Sequence, residues 1–111
     1  MLVRTTGAPQ AHHHKGQTHF SVGTVDGGYL SILAGDLDHE HHYVEIDDQA
    51  FGEANCLVRF EVASDARSVT LTFNFDFQRA GRVFTFESDE PMDPQTAQWA
   101  RAFGAEIAAR R

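Results

Sequence analysis

The sequence predicts an α+β domain, an antiparallel β-sheet of about six strands in meander-like order with one C-terminal α-helix packed on its apolar face. Three observations carry this. Between Thr18 and Ser88, apolar residues recur at every second position in short runs broken by Gly, Asp and Asn, the period of strands with one buried face. After Asp93 the spacing changes to that of a helix. A chain of 111 residues buries roughly two-thirds of its unfolded surface, which suffices for one core and excludes a second domain.

Residues 1–16, "MLVRTTGAPQAHHHKG", lack a period and large apolar groups, and read as a flexible N-terminal arm. The folded unit is expected over 17–111. His12-His13-His14 stands out in the arm, but a fixed metal site needs ligands converging from ordered elements. "THFSVGTV" and "YLSILAG" then form a hairpin whose Asp26-Gly27-Gly28 turn supplies positive-φ positions. "HYVEID" is the next strand, with Val44 and Ile46 on one side and Tyr43, Glu45 and Asp47 on the other.

In "CLVRFEVA", Val58, Phe60 and Val62 alternate with Leu57, Arg59 and Glu61. "SVTLTFNFDF" places Val69, Leu71, Phe73, Phe75 and Phe77 on its core side, and "VFTFES" extends the sheet with Phe84 and Phe86. Asp93 is the expected N-cap and Pro94 the first helical residue. Ala100, Phe103 and Ile107 form the helix's apolar stripe, with Trp99 near Phe103. Gly104 in mid-helix costs about 1 kcal/mol against alanine and points to a close approach to the sheet. Arg110 and Arg111 complement the negative end of the helix dipole.

A net charge of −7 disfavours nucleic acid and anionic membranes as partners, and no apolar run reaches the length of a membrane span. The single cysteine, Cys56, and an N-terminus without signal-peptide character point to the reducing cytoplasm. No nucleophile elbow, Gly-rich phosphate loop or Cys/His pair occurs, so neither catalysis nor a cofactor is expected. A stand-alone regulatory or structural domain fits these features as well.

The richest segment is "DLDHEHHYVEIDDQAFG". Asp36, Asp38, Glu40, Glu45, Asp47, Asp48 and Glu53 fall within 18 residues that contain no lysine or arginine, so their fields add and attract a basic partner. Tyr43 and Phe51 are the candidate aromatic anchors. A metal reading uses His39, His41 and Glu45, whose H-x-H-x-x-x-E spacing is similar to half of the cupin metal motif. No histidine follows His42 to complete it.

The stretch "HYVEIDDQAFGEANCLVRFEVASDARSVTLTF" resembles bacterial immunity protein family 10 of polymorphic toxin systems. The likeness rests on Tyr43, Glu45, Asp48, Gln49 and Gly52 and on the spacing of the two strands that follow, and it extends in pattern from about Tyr29 to Ile107. Where the family carries a loop richer in tyrosine and glycine, this chain reads "AFGEANC", and its HEHH run is its own. The resemblance implies a small cytoplasmic antidote that binds a cognate toxin domain, often a nuclease, and occludes its active surface. The expected contacts are Asp36, Asp38, Tyr43, Glu45, Asp47, Asp48, Gln49, Phe51 and Glu53.

Overall fold

The computed structural model describes residues 1–35, 42–51, 56–74 and 81–110. Among them run β1 (Leu2–Arg4), β2 (Gln10–His14), β3 (Gln17–Gly23), β4 (Tyr29–Gly35), β5 (Tyr43–Ile46), β6 (Gln49–Ala50), β7 (Leu57–Val62), β8 (Ser68–Phe73), β9 (Arg82–Glu87) and α1 (Pro94–Ala109). The domain is α+β, as expected, but its strands divide into two sheets. One has the order β1-β9-β8-β7 and the other β2-β3-β4-β5-β6. Each sheet is a meander except at β1, which runs parallel to β9.

The division follows from one-sided strands. Each sheet has one apolar face to cover, and facing the two faces together does this more completely than one helix can. Phe20, Leu30, Ile32, Val44 and Ile46 of one sheet share a single core with Val69, Leu71, Phe73, Phe84 and Phe86 of the other. These include the inward residues that alternation selects. Phe75 and Phe77 lie outside the described residues.

Residues 1–16 are not an arm. β2 pairs with β3 through a two-residue turn in which Lys15 (φ 49°) and Gly16 (φ 77°) both occupy the left-handed region, a backbone that suits the twist of the flanking strands. Ahead of it the chain bridges the sheets. Thr5 N donates to Glu87 O at 3.0 Å, Thr6 N to Gly23 O at 3.0 Å, and Val25 N to Arg4 O at 3.0 Å. This order comes from main-chain hydrogen bonds to distant strands, which leave no side-chain period to read.

β7 departs from simple alternation because its register with β8 shifts between Leu57 and Arg59. An extra residue on one strand re-aims the side chains after it, so Leu57 and Phe60, three apart, are both buried while Val58 and Val62 are half-buried.

Helix α1 lies against β7 and reaches β2, edge strands of the two sheets. Its buried residues include Ala97, Ala100, Phe103 and Ile107. Asp93 caps it, accepting from Thr96 N at 2.9 Å and from the Thr96 hydroxyl at 2.7 Å, while Thr96 Oγ1 accepts from Ala11 N at 3.2 Å. The cap therefore also satisfies an edge group of β2. Gly104 faces the Phe60 carbonyl so closely that a Cβ there would overlap its oxygen.

Two outcomes follow. Gly104→Ala should lower stability by about 1–3 kcal/mol in urea denaturation, because the overlap with Phe60 outweighs the gain in helix propensity. The Thr96 hydroxyl, then the Thr96 N–H, hold the Asp93 carboxyl below its ordinary value of 3.8. A depressed carboxylate stabilises the fold above its unfolded value and loses that contribution as pH falls through the lower folded value. The gap in urea midpoint between the wild type and Asp93→Ala should therefore be full at pH 7 and narrow below about pH 4.

Candidate functional site

Alternation along the five-stranded sheet decides what its outer face carries. Because Thr18, Phe20, Ile32, Val44 and Ile46 point into the core, their neighbours His19, Leu33, Tyr43 and Glu45 point out. The hairpin turn at Lys15-Gly16 sets His12 opposite His19, the next pairing sets His19 opposite Leu33, and the next Leu33 opposite Tyr43. One cross-strand row thus reads His12, His19, Leu33, Tyr43. The neighbouring row carries Ser21, Ser31 and Glu45.

An open depression of about 420 Å³ lies on this face, lined by His12, His14, Gln17, His19, Ser31, Leu33 and Tyr43. His19 Nε2 lies 2.6 Å from the Ser31 hydroxyl. Leu33 and Tyr43 are 38% and 43% exposed, so the floor is apolar yet open to solvent.

Carboxylates gather at one end of the face. The Tyr43 hydroxyl donates to Glu45 Oε2 at 2.9 Å, and the Tyr29 hydroxyl donates to Glu45 Oε1, with Asp48 Oδ1 3.3 Å away. Two phenols therefore orient one half-buried carboxylate. Asp47 and Asp48 form the two-residue turn between β5 and β6, with φ values of 49° and 47°. Asp47 is engaged by the hairpin beside it, its N–H donating to Tyr29 O at 3.0 Å and its Oδ1 accepting from Tyr29 N at 2.8 Å. Gly28 leaves the room, since a Cβ there would fall on the Asp47 carboxylate. Asp26, across that glycine, accepts from the Thr24 hydroxyl and from Gly28 N, which hold its carboxyl below the ordinary value of 3.8.

Of the residues singled out in the sequence, Tyr43, Glu45 and Asp48 come together on β5 and the turn after it, whereas Gln49 pairs with the inward-facing Ile46 and so falls on the other side of the sheet. Asp47 sits beside them, but its side chain is turned to the Tyr29 backbone. Phe51 is not an anchor. Its N–H donates to Val44 O at 2.7 Å, and its ring lies in the core 4.7 Å from Phe73 and 5.9 Å from Phe84, because the chain turns inward directly after β6. Asp36, Asp38, His39, Glu40, His41, Gly52 and Glu53 lie outside the described residues, and with them both histidines of the metal alternative. Among the described residues, no three His, Cys, Asp or Glu side chains are grouped to hold a metal ion.

Sequence reading missed Tyr29 and the row His12, His19, Leu33. The available signal was Lys15-Gly16, a turn pair about which His12 and His19 are symmetric. Among the described residues no helix is long and apolar enough to cross a membrane. Neither protein-family models, characterised proteins nor solved structures match this chain.

Non-glycine residues in the left-handed region are strained, and such strain concentrates at working surfaces. Asp48→Gly should raise stability by about 0.5–1 kcal/mol in urea denaturation, since it releases the turn and breaks only a weak contact. Asp47→Gly should gain less, because the acceptor for Tyr29 N is lost with it.

Proposed function

We propose that this chain is a non-enzymatic binding protein of the immunity type, which neutralises a cognate bacterial toxin domain by covering its active surface with the outer face of the five-stranded sheet. The observation that carries the reading is the Glu45 carboxylate, held by the hydroxyls of Tyr29 and Tyr43 beside Asp48 on an exposed face. A charge fixed before encounter loses little side-chain entropy on binding, so it favours recognition over solvation alone. The sequence likeness to immunity proteins rests on Tyr43, Glu45, Asp48, Gln49 and Gly52, and of these Tyr43, Glu45 and Asp48 gather at this face.

The partner that suits such a face is basic, as the cleft of a nuclease toxin is. The net charge of −7 speeds its approach, and complementary charges make association fast and sensitive to salt. The antidote needs no cofactor and no catalytic group of its own. Its place of action is the cytoplasm, where a toxin must be silenced before it reaches its target.

Co-expression tests the reading. The product of the adjacent gene should kill cells when expressed alone and be harmless together with this protein. Glu45→Lys/Asp48→Lys should slow association about tenfold or more and flatten its salt dependence, measured by stopped-flow mixing. A neighbouring gene whose product is harmless alone, or killing that this protein does not relieve, would sink the reading. Unchanged association in the double variant would move the interface to another face.

A further inference from the structure

The depression beside the carboxylates has a composition that attraction of positive charge alone leaves unexplained. A face that is merely solvated carries polar groups, whereas Leu33 and Tyr43 both line the depression and are open to solvent. They are direct cross-strand partners. Glu45 lies two residues along β5 from Tyr43, about 7 Å between their backbone positions, and its carboxylate accepts the Tyr43 hydroxyl at 2.9 Å, so the charge sits at the hydroxyl end of the ring. An apolar floor with a carboxylate just beyond its lining, bound to the Tyr43 hydroxyl, suits a side chain with an apolar stem and a cationic tip.

Arginine and lysine both have that form, but they differ at the tip. A guanidinium is planar and weakly hydrated, stacks on an aromatic ring, and gives a carboxylate two parallel N–H donors. An ammonium is a strongly hydrated point charge that gains less from the ring. The two Glu45 oxygens each accept one tyrosine hydroxyl, and a carboxylate offers about four acceptor positions, so sites remain for an incoming fork.

We propose that the depression selects an arginine of the partner, with its stem along Leu33, its guanidinium against the Tyr43 ring and its donors on Glu45. The inference rests on the binding role argued for this face and names the side chain that the face chooses. His12, His14, Gln17, His19 and Ser31 are the polar lining of the same depression. The contact area that shields the arginine is then built from β2, β3, β4 and β5 together.

Hexa-arginine and hexa-lysine peptides carry equal charge, so attraction by the acidic end alone binds them alike. Titrated into the full, untagged chain at about 150 mM salt and followed by amide NMR shifts, hexa-arginine should bind about fivefold tighter. The shifts should centre on Leu33, Tyr43 and Glu45. Tyr43→Phe should keep the preference, and Tyr43→Ala should reduce it to within about twofold while leaving lysine binding nearly unchanged.

Equal affinity for the two peptides would overturn the proposal, as would a preference that survives Tyr43→Ala or shifts centred on the four-stranded sheet. A dimer that forms with rising concentration and is lost in Leu33→Lys would overturn it too, by making a second copy of the chain the occupant. Toxin neutralisation is read separately, by survival in co-expression, so loss of arginine preference leaves that role standing.

Discussion

Both sheets and the helix meet on the ring of Phe20. It lies edge-on to Phe60 of β7 at 5.7 Å and stacks on Trp99 of α1 at 5.7 Å, while Phe103 packs against Phe60 and Trp99 at 5.1 and 5.0 Å. Removing a side chain of this size from water contributes about 1.5–3 kcal/mol, and each aromatic pair adds about 0.5–1.5 kcal/mol. The consequence reaches the surface, because a strand cannot turn Phe20 inward without turning His19 outward. The outer face is thus the complement of the core.

The same constraint explains how the sandwich is closed. Two sheets that face each other leave open sides, and the chain covers these with its two ends. At one side, α1 comes close to β7 because Gly104 has no Cβ to strike Phe60. Elsewhere, the segment from Arg4 to Thr6 hydrogen-bonds to Glu87 in one sheet, to Gly23 at the end of β3 in the other, and to Val25 in the turn that follows it. Main-chain groups that would otherwise be left at strand edges find partners in this way.

At the carboxylate end, geometry separates residues that look alike in the sequence. Asp26 and Asp47 spend their oxygens on local main-chain groups and set the two turns around Gly28. Glu45 is oriented by tyrosines toward the exposed face. Asp48 holds a left-handed backbone beside it. The described carboxylates at this end thus divide into two held by turns, Asp26 and Asp47, and two that are displayed, Glu45 and Asp48, and the proposed docking role belongs to the displayed pair.

What local chemistry controls was legible in the order of the residues. Period-two alternation selected Val44, Ile46, Val69, Leu71, Phe73, Phe84 and Phe86 for the core, and with them the outward aim of Tyr43 and Glu45. Asp93-Pro94 marked the start of the helix, and Gly104 marked its close contact. Which strands pair, and which sheet each joins, came from long-range packing. It ordered residues 1–16 through main-chain bonds that carry no side-chain pattern, shifted the register within β7, turned Phe51 into the core, and set His12 opposite His19 and Leu33 opposite Tyr43. Periodicity states which side of a strand is buried. What stands beside that strand depends on closing contacts between residues as far apart as Thr5 and Glu87, and that choice is made by the packing of the whole core.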